Sequence, residues 1–264
     1  MNDQNHKSAA VSVIRDSYRN LLIQLKSYLI ISYAVMLPLF FIQFLVPISF
    51  EKSGSFSWPL ALVLLTAGIL LILFAIFLYR LFSLDKNRIF KVTMIDLLNM
   101  LMKSFLYSLA LGAVFILTYF ILGLLFGLIL SIINSAAESE LLSGESLADV
   151  ISYTIMLFML LVFSRIQPTF ISIALGHKTI EMKSAYYYTR DNNKNLLLIA
   201  LSCYLLFFVI SGLLTVFNSY TNAATNSVIS FILSPLNMLP VALQLSAGCI
   251  IYKKMVMDMT VQHD

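Results

Sequence analysis

The chain has 264 residues, 60% of them hydrophobic and only 11% charged, against about 25% charged in an ordinary soluble domain. That much apolar surface cannot be buried in one water-soluble core, so the composition excludes an ordinary globular domain and points to lipid as the solvent. The net charge of +4, with a pI of about 9.0, points to anionic lipid and away from nucleic acid, because the basic residues flank apolar runs.

At the N-terminal end, Val11, Ile14, Tyr18, Leu21, Leu22 and Leu25 recur at helical spacing while Arg15, Arg19 and Gln24 lie elsewhere on the wheel. This predicts an amphipathic helix over 11–25 in the cytoplasmic headgroup layer, bending into a first span at 28–49 that holds Pro38 and Gln43. The run lacks a small-residue cleavage site, so no cleavable signal peptide is expected. A short turn with Glu51, Lys52 and Gly54 leads through Trp58 into a second span at 58–82, which ends on Arg80. Ile89 to Met102 is read as a second surface helix with a polar stripe of Thr93, Asp96, Asn99 and Lys103, again bending into its span. That third span, 103–133, carries a GxxxG at Gly123 and Gly127, taken as intrachain packing. An acidic loop with Glu138, Glu140, Glu145 and Asp149 precedes a fourth span at 150–174, which contains Arg165, Gln167 and Pro168. The polar stretch 179–195 is expected to be helical until near Arg190, followed by spans at 195–217 and 227–252. The last holds Pro235, Asn237, Pro240 and Gln244, and a re-entrant geometry is its alternative. Cys203 and Cys249 lie within apolar runs and behave there as small hydrophobes.

The fold expected is therefore all-α: one membrane domain of six transmembrane helices in three hairpins, with cytoplasmic amphipathic helices. Placing both termini in the cytoplasm puts sixteen of the seventeen Lys and Arg residues on that side, leaving only Lys52 opposite, as the positive-inside rule requires. Lys26-Ser27-Tyr28-Leu29, Lys103-Ser104-Phe105-Leu106 and Lys194-Asn195-Leu196-Leu197 echo one another at the entries of the odd-numbered spans. A surface helix plus a hairpin, used three times, is the unit they suggest.

Catalytic chemistry is not encoded in any recognisable pattern. His6, His177 and His263 lie in tails or a loop at spacings unlike a metal site, and no cofactor motif occurs. The apolar segments carry no acidic residue at mid-depth, which counts against proton-coupled transport. Arg165 is the one charge well inside a span, roughly 21 Å along the helix from Ile151. Either it snorkels to the cytoplasmic headgroups, or, with Gln167 and Arg80, it holds a lipid phosphate or forms a structural polar site, Asp96 and Asp191 being candidate partners. Gln43, Asn237 and Gln244 are the candidate lining of a polar cavity.

Ser12-Val13-Ile14-Arg15-Asp16, and the run from Ser164-Arg165 through Pro168, Ile173-Ala174, Ser184-Ala185, Thr189-Arg190, Asn193 and Asn195-Leu196-Leu197, resemble the YciC-type bacterial inner-membrane proteins. The second run also looks like the membrane portion of glycerophosphodiester phosphodiesterases, whose catalytic ligands have no counterpart here. In place of the glycine-rich outer segment common in the YciC type stands Glu51-Lys52-Ser53-Gly54. The resemblance implies a multi-pass protein of the bacterial cytoplasmic membrane with both termini inside, and no established activity. The expected role is non-enzymatic, binding anionic lipid headgroups or partner proteins in envelope maintenance. The alternative is a small transporter or a permease-like subunit of an exporter.

Overall fold

The structure, a computed structural model, describes residues 2–45, 58–85, 88–137, 144–177, 180–218, 235–236 and 238–261. Among these the fold is all helical, as expected, with α1 Asn2–Ile23, α2 Leu25–Leu45, α3 Trp58–Ser83, α4 Met94–Ala137, α5 Gly144–Ala174, α6 Met182–Thr189, α7 Asn193–Asn218 and α8 Leu239–Val261. A single turn of 3₁₀-helix, Arg190–Asn192, joins α6 to α7.

Helix α8 is the axle of the bundle, packing on α1, α3, α5 and α7. Its residues from Ala242 to Cys249 are buried without interruption. A helix enclosed on all sides needs no apolar stripe, and small side chains let its neighbours approach. Ala242, Ser246, Ala247 and Gly248 supply these, with Leu243 and Leu245 filling the remaining volume. Of the sixth expected span, 227–252, the helix described is α8 from Leu239 onward. Residues 227–234 lie outside the described residues.

Helix α1 breaks from α2 at Gln24, with the two axes at 75°. The expected bend is present, and one face of α1 is seated on protein. Ala10, Val13, Ser17 and Leu21 are the buried face, packed on α7 and α8, whereas Val11 and Leu22 stay exposed. Ser246 Oγ donates to Ser17 O at 3.5 Å and Tyr18 OH to Ser202 O at 3.4 Å. The sequence pattern mixed two faces: 10, 13, 17 and 21 follow the helical repeat against protein, while Val11, Leu22 and Leu25 face outward.

Helix α4 departs further from expectation, for it runs unbroken from Met94 and has no bend near Met102. Its start is set by Thr93, whose hydroxyl accepts the Asp96 N–H at 3.1 Å and donates to the Asp96 carboxylate at 2.6 Å. That reciprocal cap nucleates the helix, and neither glycine nor proline follows until Gly112 to interrupt it. At 44 residues it is roughly 66 Å long, about twice the hydrocarbon thickness. Its most apolar stretch has no buried residue. Gly123 and Gly127 have no atom within 4 Å of where a Cβ would stand, so the GxxxG makes no intrachain helix contact among the described residues. The helix expected within 179–195 does end near Arg190, since α6 stops at Thr189 and the 3₁₀ turn at Arg190 leads into α7.

Two helices, within Leu64–Ser83 and Met94–Leu125, are long and apolar enough to cross a membrane, or three if the bent pair α1–α2 counts as one. That is fewer than the six spans expected. Helix α5 adds a further apolar stretch, Phe158–Ala174, and the side chains before Phe158, like those of 206–218 and the residues 219–234, lie outside the description.

Candidate functional site

The polar residues gather where helices α3, α5, α7 and α8 end or begin. Helix α5 closes with a Schellman motif: Gly176 at φ 71° allows the N–H of His177 to reach Ser172 O and its own N–H to reach Ile173 O, both at 3.0 Å. The carbonyl of Ala174, freed at this end, accepts Arg80 Nη1 at 3.1 Å. Arg80 Nε donates to Ile89 O at 2.8 Å and Nη2 to Arg88 O at 2.9 Å. One buried guanidinium from α3 therefore clamps three backbone carbonyls, tying the α3–α4 connection to the end of α5. Its planar fork of donors suits this task.

Arg165 sits about 13 Å back along α5 from Ala174, and it does not join Arg80. Only 5% exposed, it lies under Tyr186, with the guanidinium carbon 4.3 Å from the ring centroid. Its Nη2 donates to Asn193 Oδ1 and, at 3.4 Å, to Arg190 O. The guanidinium thus pins the α6–α7 corner through one cation–π contact and two acceptors. Asp96, a candidate partner from sequence, is engaged at the start of α4 instead, and the side chain of Asp191 lies outside the description. Among the described residues the ion pair formed is Arg15–Asp16 at 3.6 Å, both exposed.

Gln167 and Gln244 meet in the core. Gln167 Nε2 donates to Gln244 O at 3.0 Å, and Gln244 Nε2 donates to Ser164 Oγ at 2.8 Å, which itself donates to Leu160 O at 2.7 Å. Burial of both amides is nearly complete. The Gln167 side chain lies across Gly248, where any Cβ would overlap its amide group. Gln167 Oε1, Gln244 Oε1, Thr169 Oγ1 and the Tyr79 hydroxyl are buried with no hydrogen-bond partner among the described residues. Of the other candidate cavity residues, Gln43 belongs to α2 but its side chain lies outside the description, and Asn237 is outside the described residues. The seam therefore joins Gln167 of one candidate set to Gln244 of the other.

A cleft of about 230 Å³ opens nearby between α1, the α6–α7 corner and α8. Val13, Leu196, Ile199 and Ile251 give it apolar walls, and Lys254, Asn192 and Asn195 place polar groups along it. Sequence reasoning gave no site role to Lys254, Tyr186, Asn193 or Gly248. A lysine at a span's end is ordinary by itself, and the burial of a glycine by a glutamine 81 positions earlier leaves no periodic trace. No protein-family model matches this sequence, and no curated protein or solved structure is significantly similar to it.

Proposed function

We propose that the chain is a non-enzymatic, multi-pass protein of a bacterial cytoplasmic membrane, whose basic end holds anionic lipid headgroups. In this reading six segments cross the membrane with both termini in the cytoplasm, and kinship to the YciC-type proteins is part of the same proposal. The observation that carries it is the cleft beside Lys254, where one cation and two amides stand next to walls of Val13, Leu196, Ile199 and Ile251. A charged head beside an acyl chain is the ligand with that polarity. Support for the topology comes from the way helix ends assigned to one side by their charges meet at one end of the bundle. Arg80 reaches Arg88, Ile89 and Ala174, while His177 Nδ1 and the Tyr252 hydroxyl lie 3.0 Å apart. Arg165 fits as a structural pin at that boundary, its guanidinium covered by protein.

The test is the lipid that survives detergent extraction, identified by mass spectrometry for wild type and Lys254→Gln. Enrichment of anionic lipid in wild type, reduced in the variant, supports the reading. Indifference of both to headgroup charge refutes it.

A second reading, a small transporter or permease-like subunit, draws on the unpartnered amide oxygens of Gln167 and Gln244. A hydrated path along that seam would bring Cys249, which faces Tyr79 O at 3.8 Å, within reach of a hydrophilic thiol reagent. A sealed seam leaves Cys249 unlabelled until the protein is unfolded.

A further inference from the structure

The cleft between α1, the α6–α7 corner and α8 carries more polar groups than a bare anionic head requires. Its floor is apolar and closely covered, with Val13, Leu196 and Ile199 no more than 5% exposed. Its rim is open: Asn192 and Lys254 are exposed and Asn195 is half-buried, so all three side chains are accessible to whatever enters. Asn192 ends the 3₁₀ turn and Asn195 lies three positions on, in the first turn of α7, a spacing that sets both carboxamides on one side of the corner. None of the three is engaged within the protein. Among the described residues neither asparagine side chain forms a hydrogen bond, and Lys254 forms no ion pair. By contrast, the Thr189 hydroxyl in the same lining donates to Ala185 O at 2.9 Å. No acid lines the cleft among the described residues, so it carries a single positive charge.

These groups narrow the ligand. One lysine balances one phosphodiester, and leaves a second phosphate or the dianion of a phosphomonoester without a counter-charge in the cleft. A head that brings its own ammonium would set it beside Lys254, with no carboxylate in the lining to receive it. Each carboxamide offers donors and an acceptor, whereas phosphate oxygens only accept. A hydroxyl answers both ends of an amide, and two amides stand here. We infer that the cleft selects a phosphatidylglycerol head, its phosphodiester held by Lys254 and its two glycerol hydroxyls by Asn192 and Asn195. The ester end of the lipid then lies against Val13, Leu196 and Ile199, which commits the site to a membrane lipid over a free polyol phosphate. This rests on the anionic-lipid reading of the same cleft and adds which anionic lipid it takes.

The experiment uses the full chain, delipidated in detergent and exposed to vesicles of equal phosphatidylglycerol, phosphatidylethanol and phosphatidylcholine with matched acyl chains, with bound lipid read by native mass spectrometry. Phosphatidylethanol carries the same singly charged phosphodiester and no hydroxyl, so recognition of charge and of hydroxyls is measured separately. Wild type is expected to retain both anionic lipids over phosphatidylcholine, and phosphatidylglycerol at least fivefold over phosphatidylethanol, about the factor that one neutral hydrogen bond carries. Asn192→Leu and Asn195→Leu should each lower that ratio, and the two together should bring it to one. Because the double variant keeps Lys254, its preference for anionic lipid over phosphatidylcholine should persist and show the cleft intact. Lys254→Gln should lower retention of both anionic lipids alike, and Lys253→Gln, outside this lining, should change neither measure. Equal retention of phosphatidylglycerol and phosphatidylethanol, both above phosphatidylcholine, overturns the inference and leaves the anionic-lipid reading standing. Equal retention of all three overturns both. An undiminished ratio in the double variant, or full displacement of bound lipid by millimolar glycerophosphoglycerol, also overturns the inference.

Discussion

Replacing Gly248 by alanine isolates the contact on which the centre of the bundle depends. The added methyl would overlap the Gln167 amide, and that amide is not free to move: it is 1% exposed and bonded to Gln244 O. Overpacking a tight core costs about 1–3 kcal/mol, and the Gln167–Gln244 hydrogen bond, if broken, adds about 0.5–1.5 kcal/mol. A loss of about 2–4 kcal/mol follows, or about 5–15 °C in the unfolding midpoint of a chain this size. Thermal unfolding of detergent-purified protein measures it. Adding Gln167→Ala to the Gly248→Ala chain removes the obstruction, so the pair should be less destabilised than the sum of the two single changes. A Gly248→Ala protein that melts with wild type, or a strictly additive pair, would refute the argument.

Other substitutions probe the remaining contacts. Arg165→Lys should lower stability by about 1–2 kcal/mol, because an ammonium cannot both stack on Tyr186 and serve Asn193 and Arg190; a midpoint equal to wild type would leave snorkelling as the sole role of Arg165. Arg80→Met strands three carbonyls and should cost about 3–5 kcal/mol, read in the same assay. Gly123→Leu meets open space and should change the stability by no more than about 0.5 kcal/mol; a large loss would show that α4 is covered at that point.

The parts of the fold legible in the sequence are those set by local chemistry. The break before Tyr28, the end of the sixth helix near Arg190 and the all-helical class follow from spacing, polar clusters and apolar runs, and the structure has them. What the sequence did not disclose depends on which element lies beside which. Periodicity showed that 11–25 is amphipathic but not that α7 and α8 cover one face of it. Apolarity alone could not tell α4, which is peripheral, from α8, which is central, since a lipid-facing helix and an enclosed one are both rich in Leu, Ile and Ala. The bend expected near Met102 failed because the cap at Thr93 and Asp96 starts one continuous helix. At the candidate site, Arg165, Gln167, Arg80 and Gln244 stood out as polar groups in apolar surroundings. Their partners, Tyr186, Asn193, Ala174 and Gly248, are unremarkable as sequence and gain meaning only from tertiary packing.

The proposed transmembrane arrangement is tested most directly by cysteine accessibility in intact cells, with Cys203 and Cys249 replaced and single cysteines introduced at Gly144, the first residue of α5, and at Lys91, before α4. A membrane-impermeant maleimide added outside should label Gly144→Cys at once and Lys91→Cys only after the cytoplasmic membrane is opened. Labelling of Lys91→Cys in intact cells, with Gly144→Cys protected, would contradict the account.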